Sequence, residues 1–283
     1  MPWPRIFSTI VAIAIAVVMV ILGGWYFSAA LAVLVFLGEL EYFNMVKAKG
    51  ITPATKMTIF LSICLLVIST ISSNLADAVF PLTGTLICFY LLFQGKLATI
   101  ADISTSLLGL FYGGYLPSYW IRLRVGLDIN NTGGFVLPSW QHFRDLPLAL
   151  TVTIVAFGCI WASDIGAYVM GKWLGKTRLS DISPKKTVEG FLFGILGSIL
   201  IAEWGAYELQ WMYWQITGLS LGVLISIVSL LGDLTESMMK RDAGFKDSGE
   251  LIPGHGGILD RADSYVFTAP LVYYFVTLLL PIL

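Results

Sequence analysis

Charge is what this sequence has least of. Asp, Glu, Lys and Arg make up 12% of its 283 residues, about half the roughly 25% of a soluble domain. So low a share excludes an ordinary soluble enzyme, a disordered chain and a nucleic-acid-binding domain. The two signs nearly cancel, 17 Lys and Arg against 18 Asp and Glu, so nothing attracts a polyanion globally and any basic patch is local. Cysteine is scarce too: Cys64, Cys88 and Cys159 each stand alone inside an apolar run. An odd count without a pairing motif argues against a disulfide framework or a zinc site and leaves small buried hydrophobes. No internal repeat, low-complexity tract or linker marks off a soluble domain.

What fills the chain instead is apolar surface. Apolar residues make up 57% of it, mean hydropathy is +0.82, and runs of the ~20 residues needed to cross a bilayer recur throughout. Helices are the expected spans, because lipid offers unpaired backbone groups no partner and no alternating strand pattern suggests a barrel. The runs predict an all-α, polytopic integral membrane protein with about nine transmembrane helices. They lie near Ile6–Leu22, Trp25–Val46, Met57–Ser73, Ala78–Phe93, Leu97–Ile121, Leu148–Val169, Val188–Ala206, Gln215–Leu231 and Ala262–Leu283. The first is read as a retained span rather than a signal peptide, since its apolar core is long and a second run follows through Gly23-Gly24. With the N-terminus inside, 14 of the 17 basic residues fall in inside segments, as the positive-inside rule asks. Arg122, Arg124 and Arg144 dissent together in one predicted outside loop that also carries Asp128 and Asp145.

Polar residues are spread unevenly. Residues 164–263 hold 12 of the 18 acidic and 9 of the 17 basic groups. Residues 1–145 are therefore expected to be transmembrane scaffold, and 146–283 the catalytic region with its cytoplasmic loops. Asp164 falls inside the sixth run, and Asp233 and Glu236 close the eighth. A carboxylate at bilayer depth costs about 2.5–3.5 kcal/mol on insertion scales, so it calls for a watery cavity, a partner or a metal. On a helix Asp233, Glu236, Ser237 and Lys240 share one face; a helix end reaching into water, with Glu236 and Lys240 paired, accounts for Glu236 equally well. Glu39 and Glu41 also stand near a span end, with nothing clustered around them in sequence, and are read that way. Asp102 is given no role.

A second polar group runs from Lys240 to Asp263. Four cations, Lys240, Arg241, Lys246 and Arg261, gather at a membrane surface. Glycines flank His255, so backbone N–H groups can turn toward an anion. Asp260 and Asp263, at i and i+3 where the last span begins, share a face that can hold Mg²⁺ through oxygen. Each feature has a plain alternative, a flexible basic connector or N-terminal helix charge worth about 0.3–1 kcal/mol, but no single alternative explains all three. His255 is open between a general base and a hydrogen-bond partner within the glycine turn; His142 is read as neutral. A third group, Ser183-Pro184-Lys185-Lys186-Thr187-Val188-Glu189-Gly190, is either a capped helix start or a phosphate site built from Lys185, Lys186 and first-turn N–H groups.

The string Ser237-x-x-Lys240-Arg241-x4-Lys246-Asp247-x-Gly249-x3-Pro253-x-His255-Gly256-Gly257-x-x-Asp260-Arg261-x-Asp263 resembles the signature of the phosphatidate cytidylyltransferases, the CDP-diacylglycerol synthases. The Asp164, Ser183–Gly190 and Gly232-Asp233 segments resemble that family's other polar patches. The resemblance implies a multi-spanning enzyme, often a homodimer, in a bacterial inner membrane with its site open to the cytoplasm. Its partners would be CTP, phosphatidate and membrane lipids, not nucleic acid, and its cofactor Mg²⁺, with a second cation left open. On this reading Asp233, Asp260 and Asp263 are metal ligands, with Asp164 a weaker one. Ser183, Lys185, Lys186, Lys240, Arg241, Lys246, Arg261, Gly256 and Gly257 hold substrate, and Asp247 and His255 order the loop or the nucleotide. The attacking lipid phosphate has a second pKa near 6, so it is already charged and needs no general base. Two rivals stay open: a CTP- or ATP-dependent long-chain alcohol kinase, and an ion-coupled transporter using Asp164 and Asp233.

Overall fold

The computed structural model describes residues 3–95, 97–127, 143–251 and 256–282. Among them no strand forms, and the antiparallel bridge between Arg178 and Thr187 is local. The helices are α1 (Trp3–Leu22), α2 (Gly24–Ala48), α3 (Thr55–Ile71), α4 (Ser73–Leu92), α5 (Ile100–Gly109), α6 (Leu116–Ile121), α7 (Leu148–Leu174), α8 (Val188–Glu208), α9 (Trp214–Asp242) and α10 (Leu259–Tyr274). Wider π-turns at Leu110–Tyr115 and Arg122–Gly126 continue α5 and α6, and another at Phe275–Leu279 prolongs α10. Six of these helices are long and apolar enough to cross a membrane: α2, α4, α7, α8, α9 and α10 with its extension. The apolar helices at Ile13–Leu22 and α3 are shorter.

The chain divides into two compact units. Unit 1 comprises Met1–Gly133 and Met239–Ala262, and unit 2 comprises Gly134–Met238 and Asp263–Leu283. Unit 1 is built around Ala54, Leu61, Leu65, Ala76, Ile87, Leu91 and Leu110, with the Phe80 and Tyr115 rings stacked 4.0 Å apart. Asp102 gains a role here. It completes a capping box at the start of α5, taking the Thr99 N–H at 2.8 Å while the Thr99 hydroxyl takes the Asp102 N–H at 3.2 Å. Its other oxygen accepts the Thr52 N–H at 2.7 Å, pinning the α2–α3 loop.

Arg122 and Arg124 correct the expectation of an outside loop after Ile121. Both lie on the helical extension of α6, and both are buried. Arg122 is fully buried, pairs with Asp77 at 2.6 Å and lies 4.1 Å above the Tyr119 ring. Arg124 donates to the carbonyls of Val20 (2.7 Å) and Ile21 (3.0 Å), supplying donors where α1 ends. Their charge is structural, so they carry no topological vote. Asp128, in the same predicted loop, lies outside the described residues.

In unit 2, α7 and α8 approach closely because α8 presents glycine where the backbones meet. A Cβ at Gly194 would lie 2.8 Å from the Ser163 carbonyl, and one at Gly197 would lie 2.8 Å from the Ala162 carbonyl. This contact fixes the stretch of α7 that carries Asp164. The Ser163 and Ser226 hydroxyls, 2.8 Å apart, join α7 to α9.

Arg122→Met should remove about 1–2 kcal/mol of stability, because half-exposed Asp77 loses its ion-pair partner and the Tyr115 and Tyr119 rings lose the cation against them. Denaturant unfolding in detergent micelles measures this; a midpoint equal to wild type contradicts the structural assignment.

Candidate active site

Each unit presents its own polar centre. In unit 1 the centre is the basic loop and the N-terminus of α10. The helix α9 ends at a left-handed Gly244 (φ +80°), where Phe245 N–H returns to the Lys240 carbonyl at 2.8 Å. The Arg241 guanidinium closes the same turn through the Phe245 carbonyl at 3.1 Å. Lys240 is buried and forms an ion pair with Asp260 Oδ1 at 2.5 Å. The second Asp260 oxygen accepts the Ser248 N–H (2.9 Å) and the Gly257 N–H (2.8 Å). The Ser248 hydroxyl lies 3.0 Å from it and 2.9 Å from Glu41 Oε2, its single proton able to serve either carboxylate.

The glycine turn toward an anion is therefore present, and the anion that the Gly257 N–H meets is Asp260 itself. Gly256 has φ +82°, and a Cβ there would lie 2.7 Å from Asp260 Oδ2, so both conformation and space require glycine. Arg241, Lys246, Asp247 and Arg261 are exposed around this turn. Pro253 and His255 lie outside the described residues.

Glu41 overturns its expected role as a helix end reaching for water. It is buried in α2 and accepts the Ile258 N–H at 3.0 Å and the Leu259 N–H at 2.9 Å besides its contact with Ser248. Its partners lie more than 200 positions away, and local spacing carries no trace of them.

Unit 2 holds the acids. Asp263 is buried at the start of its stretch of α10 and faces Asp233, Glu236 and Asp164 closely enough for their charges to interact. Glu236 is fully buried. Gly232 lets α9 and α10 approach, since a Cβ there would lie 2.5 Å from the Asp263 carbonyl. Lys186 forms an ion pair with Asp233, and the Ser237 hydroxyl lies 3.3 Å from the same side chain. The Ser264 N–H donates to Asp263 Oδ1 at 2.6 Å, and Trp161 donates to the Tyr265 hydroxyl nearby.

Lys186 reaches this cluster from the segment before α8, which serves as both a capped helix start and a frame for lysine. The Thr187 hydroxyl caps α8 by accepting the Gly190 N–H at 3.2 Å. Glu189 takes the Lys176 and Thr177 N–H groups, each at 3.1 Å. Leu179 N–H to the Lys186 carbonyl, 2.9 Å, closes the hairpin that aims the lysine. Ser183 is partly buried and Lys185 exposed on the same segment.

The cluster's chemistry suits a hard divalent cation in that Asp164, Asp233, Glu236 and Asp263 all offer oxygen donors, with Asp164 exposed and Asp233 paired with Lys186. Among the described residues no three such side chains converge at ligating distances. The fit is one of donor type.

The sequence matches the cytidylyltransferase family over residues 3–279. The chain belongs to that family. It is 68% identical to a phosphatidate cytidylyltransferase of Synechocystis sp. over all of this chain and 99% of the relative. A chloroplastic phosphatidate cytidylyltransferase of Arabidopsis thaliana is 41% identical over 91% of this chain and 68% of its own length. The Bacillus subtilis phosphatidate cytidylyltransferase is 44% identical over 45% of this chain and 48% of its own. Neither the kinase nor the transporter finds support among these relatives.

Gly256→Ala should strain the turn by about 1–3 kcal/mol and push Asp260 off its donors, lowering turnover and speeding proteolytic cleavage of the 244–258 loop. Wild-type turnover and cleavage would contradict the packing described.

Proposed function

We propose that this protein joins CTP and phosphatidate to give CDP-diacylglycerol and pyrophosphate, the lipid phosphate attacking the α-phosphorus of CTP in line. The observation that carries the chemistry is the acid cluster, in which buried Asp263 and Glu236 gather against partly exposed Asp233 and exposed Asp164. Carboxylates held this close repel one another, and a cation bound during the reaction explains them. Mg²⁺ held there would neutralise charge building on the transferring phosphoryl group and on pyrophosphate.

Asp233 and Asp263 are the proposed ligands, with Asp164 beside them. Asp260 joins the ligand set if Lys240 gives up its ion pair, in which case Lys240 turns to substrate phosphate. Lys185, Lys186, Arg241, Lys246 and Arg261 bind phosphate oxygens and oppose repulsion between two polyanions; Ser183, Gly256 and Gly257 add hydrogen-bond donors. Asp247 and His255 order the loop around the nucleotide.

In this reading α1, α3 and the α5–α6 rod cross the membrane together with the six long helices, making nine crossings. The N-terminus and the loops bearing Lys47, Lys176, Lys185 and Lys246 face the cytoplasm of a bacterial inner membrane, where water-borne CTP meets the lipid headgroup. The protein works as a homodimer, which its mass in detergent reads out.

The direct test incubates purified protein with phosphatidate, cytidine-labelled CTP and Mg²⁺. The label should become lipid-soluble only with metal present; label that stays in water, or transfer that survives EDTA, contradicts the proposal. Asp263→Asn and Asp260→Asn should each abolish turnover in protein that remains folded and inserted, because an amide is a poor Mg²⁺ ligand. Wild-type rates from both would remove the metal assignment.

A further inference from the structure

Among the buried carboxylates of unit 1 that the mechanism does not use, Glu41 has the placement closest to the site residues. Glu41 spans the two ends of the basic loop: at one end it meets Ser248, at the other the first N–H groups of α10. Ser248 in turn donates its N–H to Asp260, which holds Lys240. The fold makes room for this side chain at two glycines of the signature string. A Cβ at Gly249 would lie 2.6 Å from Glu41 Oε1, and one at Gly257 would meet Glu41 Oε2 and the Ser248 hydroxyl. Neither glycine has a positive φ, so space rather than backbone conformation excludes a side chain there.

We infer that Glu41 is a positioning residue for cytidylyl transfer: from α2 it clamps both ends of the signature loop and so sets the orientation of Asp260 and Lys240. This rests on the function proposed above. Both Glu41 oxygens are acceptors for N–H groups, so the charge and the shape are both used. Glutamine would keep one acceptor and turn an NH₂ group against a backbone N–H. Glu39, two residues earlier on α2, is an internal control: it is equally buried but accepts from Ser62 at 2.5 Å, far from the loop in sequence and in hydrogen bonding.

The experiment compares full-length wild type, Glu41→Gln and Glu39→Gln in detergent, measuring kcat, both KM values and the thermal midpoint. Glu41→Gln should lower kcat about 10- to 100-fold through misplacement of reacting groups, with KM for phosphatidate within about threefold of wild type and a folded, monodisperse protein. Glu39→Gln should keep wild-type kcat. The inference is overturned if Glu41→Gln turns over normally, or if Glu39→Gln loses as much. Should Glu41→Gln not fold, Gly249→Ala displaces the same carboxylate without removing its charge and should show the same kcat loss; a normal kcat there overturns the inference equally. A wild type that transfers no cytidylyl group would instead sink the functional reading.

Discussion

Every charge in a chain this apolar must be matched inside the protein or carried to water, and that constraint organises the rest of the structure. Asp102 is matched by Thr99 and Thr52 at the start of α5. Arg124 is matched by the last carbonyls of α1, and Arg122 by Asp77 and two tyrosine faces. Glu41 and Asp260 are matched by backbone N–H groups, Ser248 and Lys240. Where a charge is matched in this way, the group is part of the scaffold or of what holds the site in place. Asp263 is different, because its near neighbours Asp233, Glu236 and Asp164 repel it. Burial of like charges stabilises nothing by itself, which is the ground for the cation proposed there.

The sequence made the helical, membrane-embedded class legible because backbone satisfaction in lipid allows few alternatives. The polar signature was legible because no single plain reading, a basic connector or helix-end charge, accounts for its cations, glycines and paired acids together. Roles that depend on partners distant in sequence were not. Glu41 looked like a helix end because Ser248 and α10 are more than 200 residues away. Arg122 and Arg124 looked like loop charges because a π-turn carrying a helix past Ile121 leaves no mark in hydropathy. Asp260 was visible as an acid one turn from Asp263, but its engagement with Lys240 and Gly257 N–H depends on the fold of the glycine turn.

The arrangement suits a reaction whose difficulty is electrostatic. Two polyanions must meet, and the nucleophile is already charged. The protein therefore has to hold phosphates, neutralise growing charge and exclude water rather than abstract a proton. Charges concentrated at helix ends serve a lipid substrate and a soluble one together, since acyl chains stay in lipid while the headgroup reaches CTP at the membrane surface. On this account the side chains bind and orient, and none becomes covalently attached to the nucleotide.

That last point separates direct transfer from any two-step route, and the stereochemical course at phosphorus tests it. CTP made chiral at the α-phosphorus by a single sulfur substitution would be turned over with phosphatidate, and the configuration of the CDP-diacylglycerol product determined. One in-line attack predicts inversion. Retention would require a cytidylyl–enzyme intermediate and would contradict the account.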